Sequence, residues 1–323
     1  MSTRAATPGS VEEARAMARP AGGLAGALVE ATKPRITRLV TITSGVGFAM
    51  AGLSRSWRAE ELALVGGGCV VGTALCAAGA NALNQWMERD RDARMIRTCA
   101  RPLPMGRASP SSVLWSGIGL GVSGTLVLLA LCGWVPAALA LACIVVYVAA
   151  YTPLKPLTPW ATHVGTIPGA LPPLIGWTAA SGGGGIEGLG AAGGWSLYAL
   201  MTVWQMPHFL AIAWMYKDDY LRGGYRVLPA LANGENKTVR SITMWTTALI
   251  PATLAPAWAM WGTIGWGYLA VAVPSGALVS YLAWRLIQRR TREAARTVFF
   301  ASIVHLPVLL LAMVAEGLIR AIG

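Results

Sequence analysis

Asn84, Glu88 and Asp92 recur at every fourth position in the stretch from Asn81 to Gly106, NALNQWMERDRDARMIRTCARPLPMG. On an α-helix each lies about 40° round from the last, so an amide and two carboxylates share one face. Carboxylates held that close repel each other unless a cation sits among the oxygens, and an all-oxygen donor set suits Mg²⁺ better than a softer metal. Arg94, Arg97, Arg101 and Arg107 follow at once, and none can lose its charge near neutral pH. Acids followed by arginines fit a metal-bound phosphate. They also fit a plainer reading, a solvated helix end knitted by i, i+4 pairs. Asn84 favours the first reading, because it lies inside an apolar run, where polar side chains mark function by default.

A second acidic pair, Asp218 and Asp219, closes another apolar run and is followed by Gly223, Gly224, Tyr225 and Arg226. Acidic residues contribute little to membrane orientation, so two such clusters are poorly explained as topology signals. One or two Mg²⁺ ions holding a diphosphate account for both. Tyr151 and Lys155 end a further run; they serve either as an interfacial anchor pair or as an O–H and an ammonium for a phosphate oxygen. Lys33 and Arg35 flank Pro34 ahead of the first run, where cations meet lipid headgroups or an anionic substrate. Gln205 and His208 stand three residues apart inside a run, as a packed polar pair or as a polar face on a cavity.

The elements that position these groups are membrane helices. The chain is 55% hydrophobic and 12% charged, which excludes an ordinary soluble domain. Windows long enough to cross a hydrocarbon core predict an all-α, polytopic architecture of about nine transmembrane helices around a central cavity, near 37–53, 62–87, 112–131, 134–151, 161–180, 196–216, 241–260, 264–287 and 297–319. The stretch GTIPGALPPLIG from Gly165 to Gly176 predicts a break in helical regularity that lines the cavity. Glycines in the first two spans predict close helix approach.

The net charge of +12 raises the possibility of nucleic acid, but its placement argues against it. Lys and Arg gather before the first span and in alternate loops, while the opposite loops hold Arg55, Arg58 and terminal Arg320. The positive-inside rule then puts the N-terminus and both acidic clusters on the cytoplasmic side. The five cysteines form no C-x-x-C pair and read as small buried hydrophobes. Residues 1–25 lack the continuous apolar core of a signal peptide and are expected to form a mobile tail before a single domain over 26–323.

The stretches TKPRI, NQWMERDRDARMIRT, YTPLKPLTPW with GALPPLIGW, and WQMPHFLAIAW followed by KDDYLRGGYRVLP span roughly residues 30 to 230. Together they resemble the UbiA-type intramembrane prenyltransferases, and the tryptophan, glutamine, proline and histidine run before Asp218 resembles the branch whose acceptor is heme. The resemblance implies Mg²⁺ and diphosphate on Asn84, Glu88 and Asp92, with Asp218 and Asp219 completing the metal site. It implies phosphate contacts from Tyr151 and Lys155; the residues themselves add Lys33, Arg35, Arg97, Arg101, Arg226, Gln205 and His208 as expected substrate contacts. Farnesyl diphosphate and heme b are then the substrates, in a lipid membrane, with heme A synthase or terminal oxidase assembly downstream. Arg91 departs from the pattern where an apolar or aromatic residue is usual, and Gly223 departs where an acid is usual. Rival readings are a quinone-pathway prenyltransferase with an aromatic acid acceptor and, from another class, a transporter; acids gathered at one membrane face and the lack of an inverted repeat count against the latter.

Overall fold

The computed structural model describes residues 9–18 and 22–322. The expected N-terminal tail lies outside the described residues at 1–8 and 19–21. Between them Val11–Met17 forms helix α1, N-capped by the Ser10 hydroxyl. Arg15 donates to the Ala93 carbonyl at 3.2 Å, and the Cys99 thiol donates to the Val11 carbonyl, so this part of the tail rests on the loop that follows the first acidic motif.

The remaining helices are α2 Leu24–Ala31, α3 Pro34–Gly52, α4 Ala59–Asp92 and α5 Pro110–Leu131, then α6 Trp134–Leu154, α7 Ala161–Ala180, α8 Ala192–Met215 and α9 Lys217–Arg222. Helices α10 Gly234–Ala259, α11 Trp266–Arg289 and α12 Arg292–Ile322 complete the chain. There is no β-strand among the described residues, only one isolated bridge between Trp261 and Ile264. All nine segments expected from the sequence are helical. Five of the helices, α4, α5, α6, α11 and α12, are long and apolar enough to cross a membrane by length and composition. Helix α7 shows why apolarity and position part company: Ala170 to Ala180 is buried without interruption, so neighbouring helices cover it and lipid-facing apolar residues are not needed there.

The expected break in α7 does not occur. The helix continues through Pro168, Pro172 and Pro173. Pro172 lacks the N–H that would bond the Pro168 carbonyl four residues back, and the Cys143 thiol from α6 donates to that carbonyl at 3.2 Å. A neighbour that satisfies the freed group lets proline stay inside a membrane helix.

Close packing depends on glycine. A Cβ on Gly176 would stand 1.7 Å from the Ser44 carbonyl oxygen, and one on Gly47 would stand 1.9 Å from that of Pro173, so α3 and α7 cross backbone to backbone. Helices α4 and α5 meet the same way, a Cβ on Gly79 falling 2.6 Å from the Gly121 nitrogen. Met50, Trp177, Leu200, Leu249, Tyr268 and Leu306 form a core shared by α3, α7, α8, α10, α11 and α12. A second core with Cys69, Leu128, Ala137 and Leu174 joins α4, α5, α6 and α7. All five cysteines are free.

Gly176→Ala is expected to cost about 3 kcal/mol or more, since the clash is with backbone and cannot be relieved by a rotamer change. Gly45→Ala on α3, where nothing lies within 4 Å, is expected to be neutral or stabilising by up to about 1 kcal/mol. Thermal unfolding in detergent compares them, and equal midpoints would remove the close crossing from the account.

Candidate active site

Helix α4 runs about seven turns through the bundle before its last turns present Asn84, Glu88 and Asp92, which are only 0%, 5% and 1% exposed. Each is met by a cation from a different segment. Lys33 Nζ donates to Asn84 Oδ1 at 2.5 Å, Lys155 Nζ to Glu88 Oε1 at 2.8 Å, and Arg101 Nη1 to Asp92 Oδ2 at 2.6 Å. The other end of the Asn84 amide donates to Thr152 Oγ1 at 2.9 Å, and Thr152 in turn donates to the Tyr147 carbonyl. Asp92 Oδ1 is buried with no hydrogen-bond partner.

The supporting backbone is unusual on two sides. Lys33 holds a left-handed conformation at φ 50° just before α3, a strain of about 1–2 kcal/mol for a residue with a Cβ. Helix α6 loosens into a π-helical stretch over Val146–Tyr151 before delivering Thr152 and Lys155, and such widened turns often accompany functional sites. Burial, and then the nearby Arg101, push the Lys33 ammonium down to about 7. Lys155 goes the other way: burial opposes its charge, but Glu88 and then Tyr151 hold it well above the usual ammonium range. It stays a cation, with its Nζ 4.5 Å from the Tyr151 ring centre.

The second acidic pair comes to the same end. Asp219 is buried, and its Oδ1 accepts from the Ile96 N–H at 2.7 Å while Oδ2 accepts from the Arg97 N–H at 3.3 Å. It therefore braces the loop that leaves the first motif. Asp218 is exposed. The Arg97 guanidinium lies 5.0 Å from the Tyr216 ring and 5.1 Å from the Tyr220 ring. Beside it Arg97, Tyr151, Lys155, Tyr220, Tyr225 and Arg226 help line a cavity of 160 Å³. The Arg226 N–H donates to the Lys155 carbonyl.

The two departures from the sequence pattern touch each other. Arg91 Nη1 donates to the Gly223 carbonyl at 3.0 Å and to the Gly224 carbonyl at 3.1 Å. A side chain at Gly223 would meet Met95 Sδ at 2.8 Å, so the space for an acid is already filled. Arg91 supplies a main-chain clasp between the two acidic segments.

Other expected residues lie elsewhere. Gln205 donates to the Met201 and Thr166 carbonyls. His208 bonds Ser302 at 2.8 Å and stacks between Trp204 and Phe299. Arg35 is exposed, and Arg107 forms a two-pronged pair with Glu30 at 2.7 and 2.9 Å that ties α2 to the loop. Sequence reasoning passed over Thr152 and Tyr225. Thr152 adjoins the named Tyr151. Tyr225 is buried with its hydroxyl unpartnered, its ring within 5.6 Å of the Arg91 guanidinium carbon and 5.9 Å of Lys155 Nζ; its place beside Arg226 was the available signal.

Among the described residues no three or more His, Cys, Asp and Glu side chains stand together as a metal cluster. The donor set on α4 is an amide and two carboxylates, all hard oxygens, and Asp92 Oδ1 has a free coordination position. That chemistry fits one Mg²⁺. Asp219 already accepts from two amides.

Intramembrane prenyl transfer is the class that this bundle and its acid–arginine end define. Residues 39–304 match the UbiA prenyltransferase family, and the chain belongs to it. A protoheme IX farnesyltransferase of Solibacter usitatus is 39% identical over 87% of this chain and 95% of its own. One from an Anaeromyxobacter species is 40% identical over 94% and 98%. Solved structures share the fold: a digeranylgeranylglyceryl phosphate synthase at TM-score 0.72 and 15% identity, covering 90% of this chain and 97% of that one, and a UbiA homologue from Archaeoglobus fulgidus bound to GPP and Mg²⁺ at 0.60 and 13%, covering 92% and 100%. The chain is accordingly an integral membrane protein.

Asp219→Ala is expected to free the Ile96 and Arg97 amides, a local loss of about 1–3 kcal/mol. Hydrogen exchange at those two amides should then accelerate by roughly tenfold or more, at 1.4 kcal/mol per decade, while Asp218→Ala leaves it unchanged. Identical exchange in both variants would remove Asp219 from its bracing role.

Proposed function

We propose that this chain transfers the farnesyl group of farnesyl diphosphate to a vinyl group of heme b, with addition of water, giving heme O and diphosphate. The observation that carries the reading is the α4 face itself, where two buried carboxylates and an amide are each matched by a cation. The protoheme IX farnesyltransferases that this chain resembles over nearly their whole length supply the acceptor. The protein is read as one domain over 26–323 in the bacterial plasma membrane, with its N-terminus and both acidic clusters facing the cytoplasm. Its product serves terminal oxidases, through heme A synthase or directly.

Asn84, Glu88 and Asp92 are the proposed Mg²⁺ ligands, with Asp218 and Asp219 at the other side of the same end. An Mg²⁺ ion held by these residues would supply positive charge that eases departure of the diphosphate. Lys155 keeps its proton beside Glu88, so a fixed ammonium faces the growing negative charge as the allylic C–O bond breaks. Arg101 and Arg97 add guanidinium charges able to grip phosphate oxygens in two-pronged fashion. Lys33, whose ammonium is pushed down to about 7 by burial and then by Arg101, gains most from an arriving anion. Tyr151 and Tyr225 help line the cavity, and aromatic rings tolerate a nearby cation. Loss of diphosphate leaves an allylic cation; the heme vinyl π-bond attacks it, and water captures the resulting benzylic-type cation, releasing one proton. Apolar helices keep water from the first cation until the vinyl group has reacted.

Asp92→Ala leaves the half-buried Arg101 without its carboxylate and removes a proposed ligand, so product formation is expected to fall by at least about a hundredfold, the scale of losing one preorganised electrostatic group. Mass analysis of heme from cells lacking their own enzyme reads the outcome, with membrane insertion checked by blotting. Product at near wild-type amounts would refute the role of the α4 face.

A further inference from the structure

Beyond the wall of the diphosphate-end cavity lies a second, larger one of 570 Å³, within the roughly 300–1,000 Å³ of small-molecule and cofactor sites. It is formed by the start of α7 (Trp160, Thr162, His163), by Leu228 and Leu231 from the turn before α10, and by Lys237, Arg240 and Met244 on α10. Thr162 lines both cavities, its flanking residues Ala161 and His163 line one each, and so do the adjacent pairs Phe209 and Leu210, Val227 and Leu228. The two spaces are back to back.

The chemistry of the lining is divided. One side is flat and aromatic, with the Trp160 and His163 rings 4.7 Å apart and His163 5.9 Å from the Trp245 ring. Neither His163 nitrogen makes a hydrogen bond among the described residues, and Nδ1 is buried without a partner. Trp160 is 67% and Met244 55% exposed, an apolar mouth left open. The other side carries Lys237 and Arg240, one helical turn apart on α10, both exposed and with no ion pair to a carboxylate among the described residues. A large planar apolar ring bearing two carboxylates on one edge is the ligand that fits both sides.

Resting on the acceptor assigned above, we propose that this cavity docks heme b, its macrocycle against Trp160 and His163 and its two propionates on Lys237 and Arg240. Bond formation needs the vinyl carbon within about 3–3.5 Å of the allylic carbon, and a cavity that shares the wall residue Thr162 with the diphosphate end lies on the side from which that approach is shortest. With the propionates held by Lys237 and Arg240, the vinyl groups on the opposite edge of the ring are left to meet the shared wall. Arg and Lys at a membrane surface also attract anionic lipid, and the experiment separates the two.

The test uses the full chain in nanodiscs of neutral lipid. Soret absorbance titrations with heme b should show Lys237→Glu/Arg240→Glu binding at least tenfold more weakly than the wild type, and KM for heme should rise by a similar factor while KM for farnesyl diphosphate stays put. Heme b dimethyl ester, which lacks the carboxylates, should bind the wild type about as weakly as the variant binds heme, with no further loss in the variant. Equal heme affinity of variant and wild type overturns the proposal, as does a loss that appears only when anionic lipid is included. A wild type that farnesylates heme while the variant's heme affinity is unchanged removes this cavity but leaves the function standing. A wild type that neither binds heme nor farnesylates it removes both.

Discussion

Charge compensation on α4 is the constraint from which the rest follows. Glu88 and Asp92 are 5% and 1% exposed, and removing the partner of a buried ion pair costs about 3–5 kcal/mol. The fold must therefore deliver Lys155 from the end of α6 and Arg101 from the loop after α4, and it also brings Lys33 from the α2–α3 junction to the Asn84 amide. Each delivery has its own device: a left-handed residue, a π-helical stretch, and a loop braced by Asp219. A pocket with this many fixed cations is assembled before any anion arrives, which lowers the reorganisation that a departing diphosphate requires.

The same constraint explains the helices that look least like membrane spans. Helix α7 is rich in proline and glycine because it is surrounded by protein and must let α3 approach to backbone contact. Its carbonyls are completed by neighbours, the Cys143 thiol and the Gln205 amide among them. Residues with polar side chains inside spans thus divide into two uses. Asn84 links Lys33 to Thr152 at the site, whereas Gln205 and His208 complete the packing of α8 against α7 and α12.

Arg91 and Gly223 illustrate how departures from a family pattern can be read jointly. Taken singly, an extra cation and a missing acid each weaken the case for a site. In the fold the guanidinium donates to two carbonyls of the glycine pair, so the second acidic segment is fastened by main-chain hydrogen bonds at the place where a carboxylate is usual. Tyr225, under that guanidinium and near Lys155, belongs to the same clasp.

The sequence by itself determined the helical class, the places of the long helices though not their ends, which α10 Gly234–Ala259 extends well ahead of the expected 241, and the face shared by Asn84, Glu88 and Asp92, because all three depend on local periodicity and hydropathy. It also carried the family, through motifs that span residues 30 to 230. Only the tertiary structure decided which cation meets which acid, since Lys33 and Asn84 are 51 residues apart and Asp219 and Ile96 are 123 apart. It alone showed that α7 stays helical through three prolines, because the group that rescues the freed carbonyl comes from another helix. A donor's reach across a bundle depends on how glycines set the spacing between helices, and that distance is written in no single segment.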